Sequence, residues 1–160
     1  MSLKLLVIVP CGQIKIWKKE PSHGPAKAKN AYIGAPFKVN KAFAEKFADK
    51  WIVLSSKYGF IDPEFIIPKD YNVTFKKPST NPINTDALLK QLKQKNLDSY
   101  DVVIALGGED YSSIVKKVFM KVSKVIAPTE GLPIGKAMGH VKSLIKLEKP
   151  QMVKAIAGHP

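Results

Sequence analysis

Four short apolar runs set the limits on what this chain can become. Leu5-Leu-Val-Ile-Val9 carries no charge and stops at Pro10-Cys11-Gly12. Trp51-Ile-Val-Leu54, Val102-Val-Ile-Ala-Leu106 and Val125-Ile-Ala127 stop as abruptly, at Ser55-Ser56, Gly107-Gly108 and Pro128. Runs of this length are too short to cross a membrane, and they lack the polar alternation of a half-exposed strand. They read instead as strands covered on both faces, which is the habit of parallel sheets. The expected strands cover 3–9, 51–55, 101–106 and 124–127.

Between them the apolar period lengthens to that of a helix. Phe37, Lys41, Ala44 and Ala48, with Phe43 and Phe47, predict a helix over about 35–48, opened by Pro36 at its first turn. Asn84 or Thr85 caps a second helix whose apolar face is Leu88, Leu89 and Leu92. Tyr111, Ile114, Val115, Val118, Phe119 and Val122 mark a third, and Met138, Val141, Leu144 and Ile145 a fourth. Strands and helices in alternation predict a three-layer α/β fold: a mostly parallel sheet of about four to five strands with helices on both faces. A length of 160 residues fits one domain, read as 1–149, with Pro150 ending it and 150–160 a tail that is either docked or frayed. Segments 11–34 and 60–81 read as loops, the second with an extended piece at 72–75. Loops this long are uncommon unless they serve a function.

The single cysteine excludes an intramolecular disulfide. One Cys and three His without paired ligand spacing predict no metal site, and no cofactor motif stands out. The N-terminal apolar run lacks both a small-residue cleavage site and a lipobox before Cys11, so a cytoplasmic protein without membrane attachment is expected. The net charge of +13 invites a polyanionic partner. All 26 basic residues are Lys, however, whereas Arg is the usual bidentate reader of phosphate and guanine. The lysines are spread along the chain rather than gathered in a tail, so a thermophile-style surface or codon bias accounts for them equally well.

A parallel sheet brings the four strand exits to one edge, where ligands of open α/β sheets bind. The first exit supplies Cys11, Gly12 and Lys15, followed in the same segment by Ser22-His23. The second supplies Ser55, Lys57 and Tyr58, the third Gly107, Gly108 and Tyr111, and the fourth Glu130, Gly131 and Gly135. Cys11 is either a small core residue or a thiolate nucleophile assisted by Lys and backbone N–H groups. Lys15 is either solvated or an anion binder, and His23 either exposed or an acid–base partner. The Gly107-Gly108 turn ahead of a helix is a tight turn or an anion cradle, but Glu109 and Asp110 there repel phosphate and suit a sugar hydroxyl or a base edge better. Tyr58-Gly59 is a turn or a stacking platform for a flat ring, and Tyr111 is a core residue or one that faces the ligand.

Pro10-Cys11-Gly12-x-x-Lys15, Leu54-Ser55-Ser56-Lys57-Tyr58-Gly59, Leu106-Gly107-Gly108-x-x-Tyr111 and Gly131-x-x-Ile134-Gly135 resemble a domain family of unknown function made of small α/β proteins. The likeness covers about residues 5–147. More narrowly, Pro10, Cys11, Lys15, Ser22 and His23 resemble, in type and spacing, the loop of the core domain of archaeosine synthase. That family attaches an amine donor to a nitrile-bearing deazapurine in tRNA, so the resemblance implies a loop that handles a modified base or nucleotide. The chain departs from that family where Ile16-Trp17-Lys18-Lys19-Glu20-Pro21 replaces a Pro-Tyr-Ser-rich middle.

These readings converge on an enzyme, or a degenerate enzyme, of the transferase or hydrolase type acting on a nucleobase, nucleoside or nucleotide, with RNA as a further partner. Cys11, Lys15 and His23 are its expected catalytic residues. Gly12, Ser22, Ser55, Lys57, Tyr58, Gly107, Gly108, Tyr111, Glu130, Gly131 and Gly135 are expected to bind substrate. The alternative is a non-catalytic basic domain that binds nucleic acid or senses a nucleotide through Lys and the aromatics Trp17, Tyr58 and Tyr71.

Overall fold

A computed structural model of the chain describes residues 3–158. The first strand, β1 (Leu5–Pro10), lies at the centre of a five-stranded sheet. After it come two single-turn helices, α1 (Ile16–Lys19) and α2 (Ala28–Ala31), separated by the short strand β2 (Ala26–Lys27). Helix α3 (Ala35–Phe47) leads to β3 (Lys50–Ser55), which turns back as β4 (Gly59–Ile61). Then follow β5 (Ile66–Ile67), α4 (Thr85–Gln94), β6 (Val102–Ala105), α5 (Glu109–Phe119), β7 (Lys124–Ile126), α6 (Ile134–Ile145) and α7 (Lys149–Ile156). The sheet order is β4-β3-β1-β6-β7, with β4 antiparallel and all other pairs parallel.

Side chains of β1 alternate between two cores, as the pleat requires. Leu5, Val7 and Val9 face one core with Phe37, Phe43 and Phe47 of α3, Val141 and Leu144 of α6, and Met152 and Ile156 of α7. Leu6 and Ile8 face the other, with Leu88 and Leu92 of α4 and Val115, Val118 and Phe119 of α5. The expected three-layer α/β fold with a mostly parallel sheet is therefore present, and its fifth strand is the antiparallel β4. Two aspartates pin the start of β1: Asp49 Oδ2 accepts from Leu5 N at 2.6 Å and Asp101 Oδ2 from Lys4 N at 2.7 Å.

Three local expectations are corrected. Segment 11–34 is not plain loop. Its four-residue helices and two-residue strand are too short to show a period, yet they bury Trp17, Ala26, Ala28, Ala31 and Tyr32. Strand β2 pairs with β5, and Lys27 and Lys29 clasp Glu64 at 2.8 and 2.6 Å beside that pair. No strand forms at 72–75; the extended pieces of that region are β4 and β5. Pro150 does not end the compact part of the chain: of the two readings of the tail the docked one holds for 150–156, which are helical with Met152 and Ile156 buried, while 159–160 lie outside the described residues. Pro150 opens this helix at its first turn, where a missing N–H costs nothing, and Glu148 with Gln151 forms a capping box. Among the described residues no helix is long and apolar enough to cross a membrane.

Candidate functional site

The chain leaves β1 toward β3 on one side and later returns to β6 on the other, so its direction of winding reverses between β1 and β6. Two strand exits splay apart at such a switch point and leave a crevice. The crevice here is a cleft of about 590 Å³. The exit of β1 lines it with Pro10, Cys11, Gly12, Gln13 and Ile14, and the exit of β6 with Gly107, Gly108, Asp110 and Tyr111. Pro36, Phe37 and Asn40 of α3 form one wall, and Leu132, Ile134, Ala137 and Met138 another. The volume suits a small organic ligand.

Cys11 is fixed by the sheet even though it stands past the last residue of β1. Its N–H donates to Leu54 O at 3.0 Å, continuing the ladder with β3. The half-buried sulfur lies 3.3 Å from Tyr111 Oη and 4.0 Å from Ser56 Oγ. The Ser56 hydroxyl donates to Val73 O at 2.6 Å, so toward the sulfur it offers only lone pairs. Tyr111 in turn packs edge-on against Phe75, with 5.4 Å between ring centroids.

Behind the thiol stands a chain of hydroxyls. Ser55 Oγ accepts from Lys57 N at 3.2 Å and Tyr58 N at 3.0 Å, closing the turn out of β3. With both lone pairs so used, its own hydrogen goes to Tyr71 Oη, 3.0 Å away. Tyr71 Oη is also hydrogen-bonded to Tyr32 Oη. Burial first, and then the neighbouring Cys11, push the phenols of Tyr32, Tyr71 and Tyr111 above the ordinary tyrosine range. All three are therefore neutral hydroxyls at physiological pH, able to donate toward the sulfur side of the site.

The expected site residues divide into three groups. Cys11, Gly12, Gly107, Gly108 and Tyr111 meet at the cleft. Lys15, Ser55, Lys57 and Tyr58 gather around Tyr71 instead: Lys15 Nζ stands 4.5 Å and Lys57 Nζ 5.8 Å from its ring centroid, and Tyr58 packs edge-on at 5.5 Å. Tyr58 also leans on Phe65, at 5.2 Å. The remaining five residues stand apart from the cleft lining. Ser22 is exposed in a turn; His23 Nδ1 meets Gly24 O at 2.8 Å, and its carbonyl receives the Trp17 indole N–H at 2.9 Å. Glu130 is held by the Ser112 hydroxyl and by Lys116 Nζ at 3.0 Å, and these contacts, the Ser112 hydrogen bond foremost, keep its carboxyl below the usual range. Gly131 and Gly135 have open space where a Cβ would stand.

Gly107 has a role the sequence did not reveal. It sits at φ +96°, and a Cβ there would lie 2.6 Å from Pro10 Cγ, so only glycine lets the β6 exit pass the residue that precedes Cys11. Thr129 Oγ1 donates to the Gly107 carbonyl at 2.9 Å and ties the fourth exit to the third. Sequence reasoning also missed Asn40 and Tyr32, and it met Tyr71 only as a surface aromatic. Among the described residues no group of three or more His, Cys, Asp or Glu side chains is arranged to hold a metal ion.

A small α/β protein with a thiol at the switch point of its sheet is the class that fold and cleft define. The chain belongs to a family of unknown function, DUF6884, whose model matches residues 6–143. It is similar to the uncharacterized protein YfjM of Bacillus subtilis (strain 168), 34% identical over 116 residues, covering 72% of this chain and 77% of that protein. No solved structure matches it.

Proposed function

We propose that the protein is an enzyme, or a degenerate enzyme, acting on a nucleobase, nucleoside or nucleotide, with RNA modification as the setting and Cys11 as the nucleophile or closest contact. The observation that carries this reading is the position of Cys11 in the lining of an apolar cleft, its Sγ 3.3 Å from a phenol that burial keeps protonated. A thiol packed as mere core filling has no need of that donor or of access to a cleft. Tyr111 steadies charge on the sulfur. Lys15, on the Tyr71 ring at 4.5 Å, supplies positive charge beyond the adjoining phenols. The apolar walls suit the faces of a heterocycle.

The test is a thermal-shift screen against bases, nucleosides, nucleotides, deazapurines and short RNAs, run on the native protein and on the Cys11→Ala, Lys15→Ala double variant. A ligand that binds only the native fold raises its melting temperature by mass action. The expected result is stabilisation by a base, nucleoside or nucleotide that the double variant loses. Stabilisation by none of them overturns the reading.

One observation favours a second reading, a binding module without catalysis. Lys57 stands over the half-buried Tyr58 at 5.3 Å and Lys15 over the adjoining, buried Tyr71 at 4.5 Å, pairing cations with aromatic rings as single-strand binders do. Such a module would bind RNA equally well without Cys11 and lose affinity steeply with salt.

A further inference from the structure

Among the described residues, Asn40 is the buried polar side chain that neither the fold nor the proposed chemistry uses. It sits within α3 and is only 8% exposed, yet its amide has no hydrogen-bond partner among the described residues. Burying an unpaired amide costs free energy, and an apolar residue would serve the helix and its packing better. No fully sealed side-chain nitrogen or oxygen lacks a partner among the described residues, and Asn40 lines the cleft. Its amide therefore opens onto the same space as Cys11 and Tyr111.

The charges of the cleft narrow the ligand further. Lys76 and Asp110 are the charged residues in the lining, and they face each other at 3.8 Å. The net charge of +13 is thus not expressed in the cleft. Glu109 and Asp110 occupy the first turn of α5, where a phosphate would otherwise be welcomed. Around these groups stand Ile14, Phe37, Leu132, Ile134 and Met138, which match the face of a ring.

We infer that Asn40 is a specificity residue which reads the hydrogen-bonding edge of an uncharged heterocycle, a nucleobase or nucleoside rather than a free nucleotide. An asparagine amide presents an acceptor and a donor side by side. Its complement is a donor beside an acceptor, as in a lactam or amidine edge, and the amide can turn over to meet either order. Asp110 is placed to accept from a sugar hydroxyl. This inference rests on the proposed function, since it names the substrate class of that site.

The test measures dissociation constants by isothermal titration calorimetry. The probes are adenosine, guanosine, inosine, cytidine and uridine, each also as its 5′-monophosphate. The proteins are the native chain, Asn40→Leu and the nearly isosteric Asn40→Asp, each first shown to melt cooperatively. At least one nucleoside is expected to bind the native protein, and its monophosphate no more tightly. A bidentate amide contact is strong enough that Asn40→Leu should weaken that nucleoside by about tenfold or more. Asn40→Asp, which replaces the donor by an acceptor, should weaken it as well. Unchanged affinity in both variants would overturn the role of Asn40 and leave the proposed function standing. A monophosphate bound about tenfold tighter than its nucleoside would overturn the uncharged-ligand assignment alone. Binding of no nucleoside or monophosphate by the native protein would defeat the inference together with the reading beneath it.

Discussion

Replacing Gly107 with Ala should damage the protein out of proportion to the single methyl group added. The residue stands at φ +96°, a conformation that costs an L-residue roughly 1–2 kcal/mol. The new Cβ would meet Pro10 at Cγ 2.6 Å, Cβ 3.3 Å and Cδ 3.4 Å away. A pyrrolidine ring has no rotamer in which to retreat, so the strand exit itself must shift, and overpacking of this kind costs about 1–3 kcal/mol. Together the two effects amount to about 2–5 kcal/mol, or roughly 5–15 °C of melting temperature for a chain of this size. Gly108→Ala is the control, because Gly108 has φ −83° and nothing within 4 Å of where a Cβ would stand. That variant should melt within about 3 °C of the native protein, as befits a surface change of about 0.5 kcal/mol. Differential scanning calorimetry on the three proteins decides the matter. Equal melting of Gly107→Ala and the native protein would refute the claim that glycine is needed for the β6 exit to pass Pro10.

Three further expectations follow from the same geometry. Gly59→Ala should destabilise strongly by calorimetry, about 2–4 kcal/mol, because φ is +79° and the new Cβ would strike Gln91, whose amide holds Phe60 N at 2.8 Å and Tyr58 O at 2.9 Å. Since the folded-state values of Tyr32, Tyr71 and Tyr111 are raised, the stability they confer is whole below the unfolded value near 10 and is lost as pH climbs past it. Absorbance at 295 nm should therefore show fewer ionised phenols in the folded protein at about pH 11 than in urea, and equal ionisation would count against their burial. Met152→Ala should cost about 2–5 kcal/mol in urea unfolding, because Met152 is fully buried; a loss under about 0.5 kcal/mol would mean α7 is not docked.

The sheet was legible because its strands are uninterrupted apolar runs, and a run without alternation implies cover on both faces. The placement of Cys11 followed from the same logic, since Pro10 and Gly12 end the strand where a parallel sheet collects its ligands. What escaped was whatever depended on short elements or distant pairing. Strands β2 and β5 are two residues each, too short to carry a period. Tyr71 meets Ser55 and Tyr32 only because β2 and β5 bring two irregular segments together, and nothing in the spacing of those residues announces it. Asn40 occupies an ordinary position of an amphipathic helix, and only the unpaired amide facing a cleft distinguishes it. Lys15 and His23 lie close to Cys11 in sequence, but the turn of α1 carries His23 to Trp17 and Gly24. Gly107 was legible as a special position, but its packing against Pro10 was not.

The most direct test of the central claim is protection of Cys11 from alkylation. The half-buried thiol would be labelled with iodoacetamide and followed by intact mass, with and without saturating amounts of the base, nucleoside or nucleotide that most raises the melting temperature. If the ligand occupies the cleft against the sulfur, labelling slows markedly when it is present and returns to its original rate when it is removed. An unchanged labelling rate under saturation would contradict the account, because the ligand would then bind somewhere other than the exit of β1.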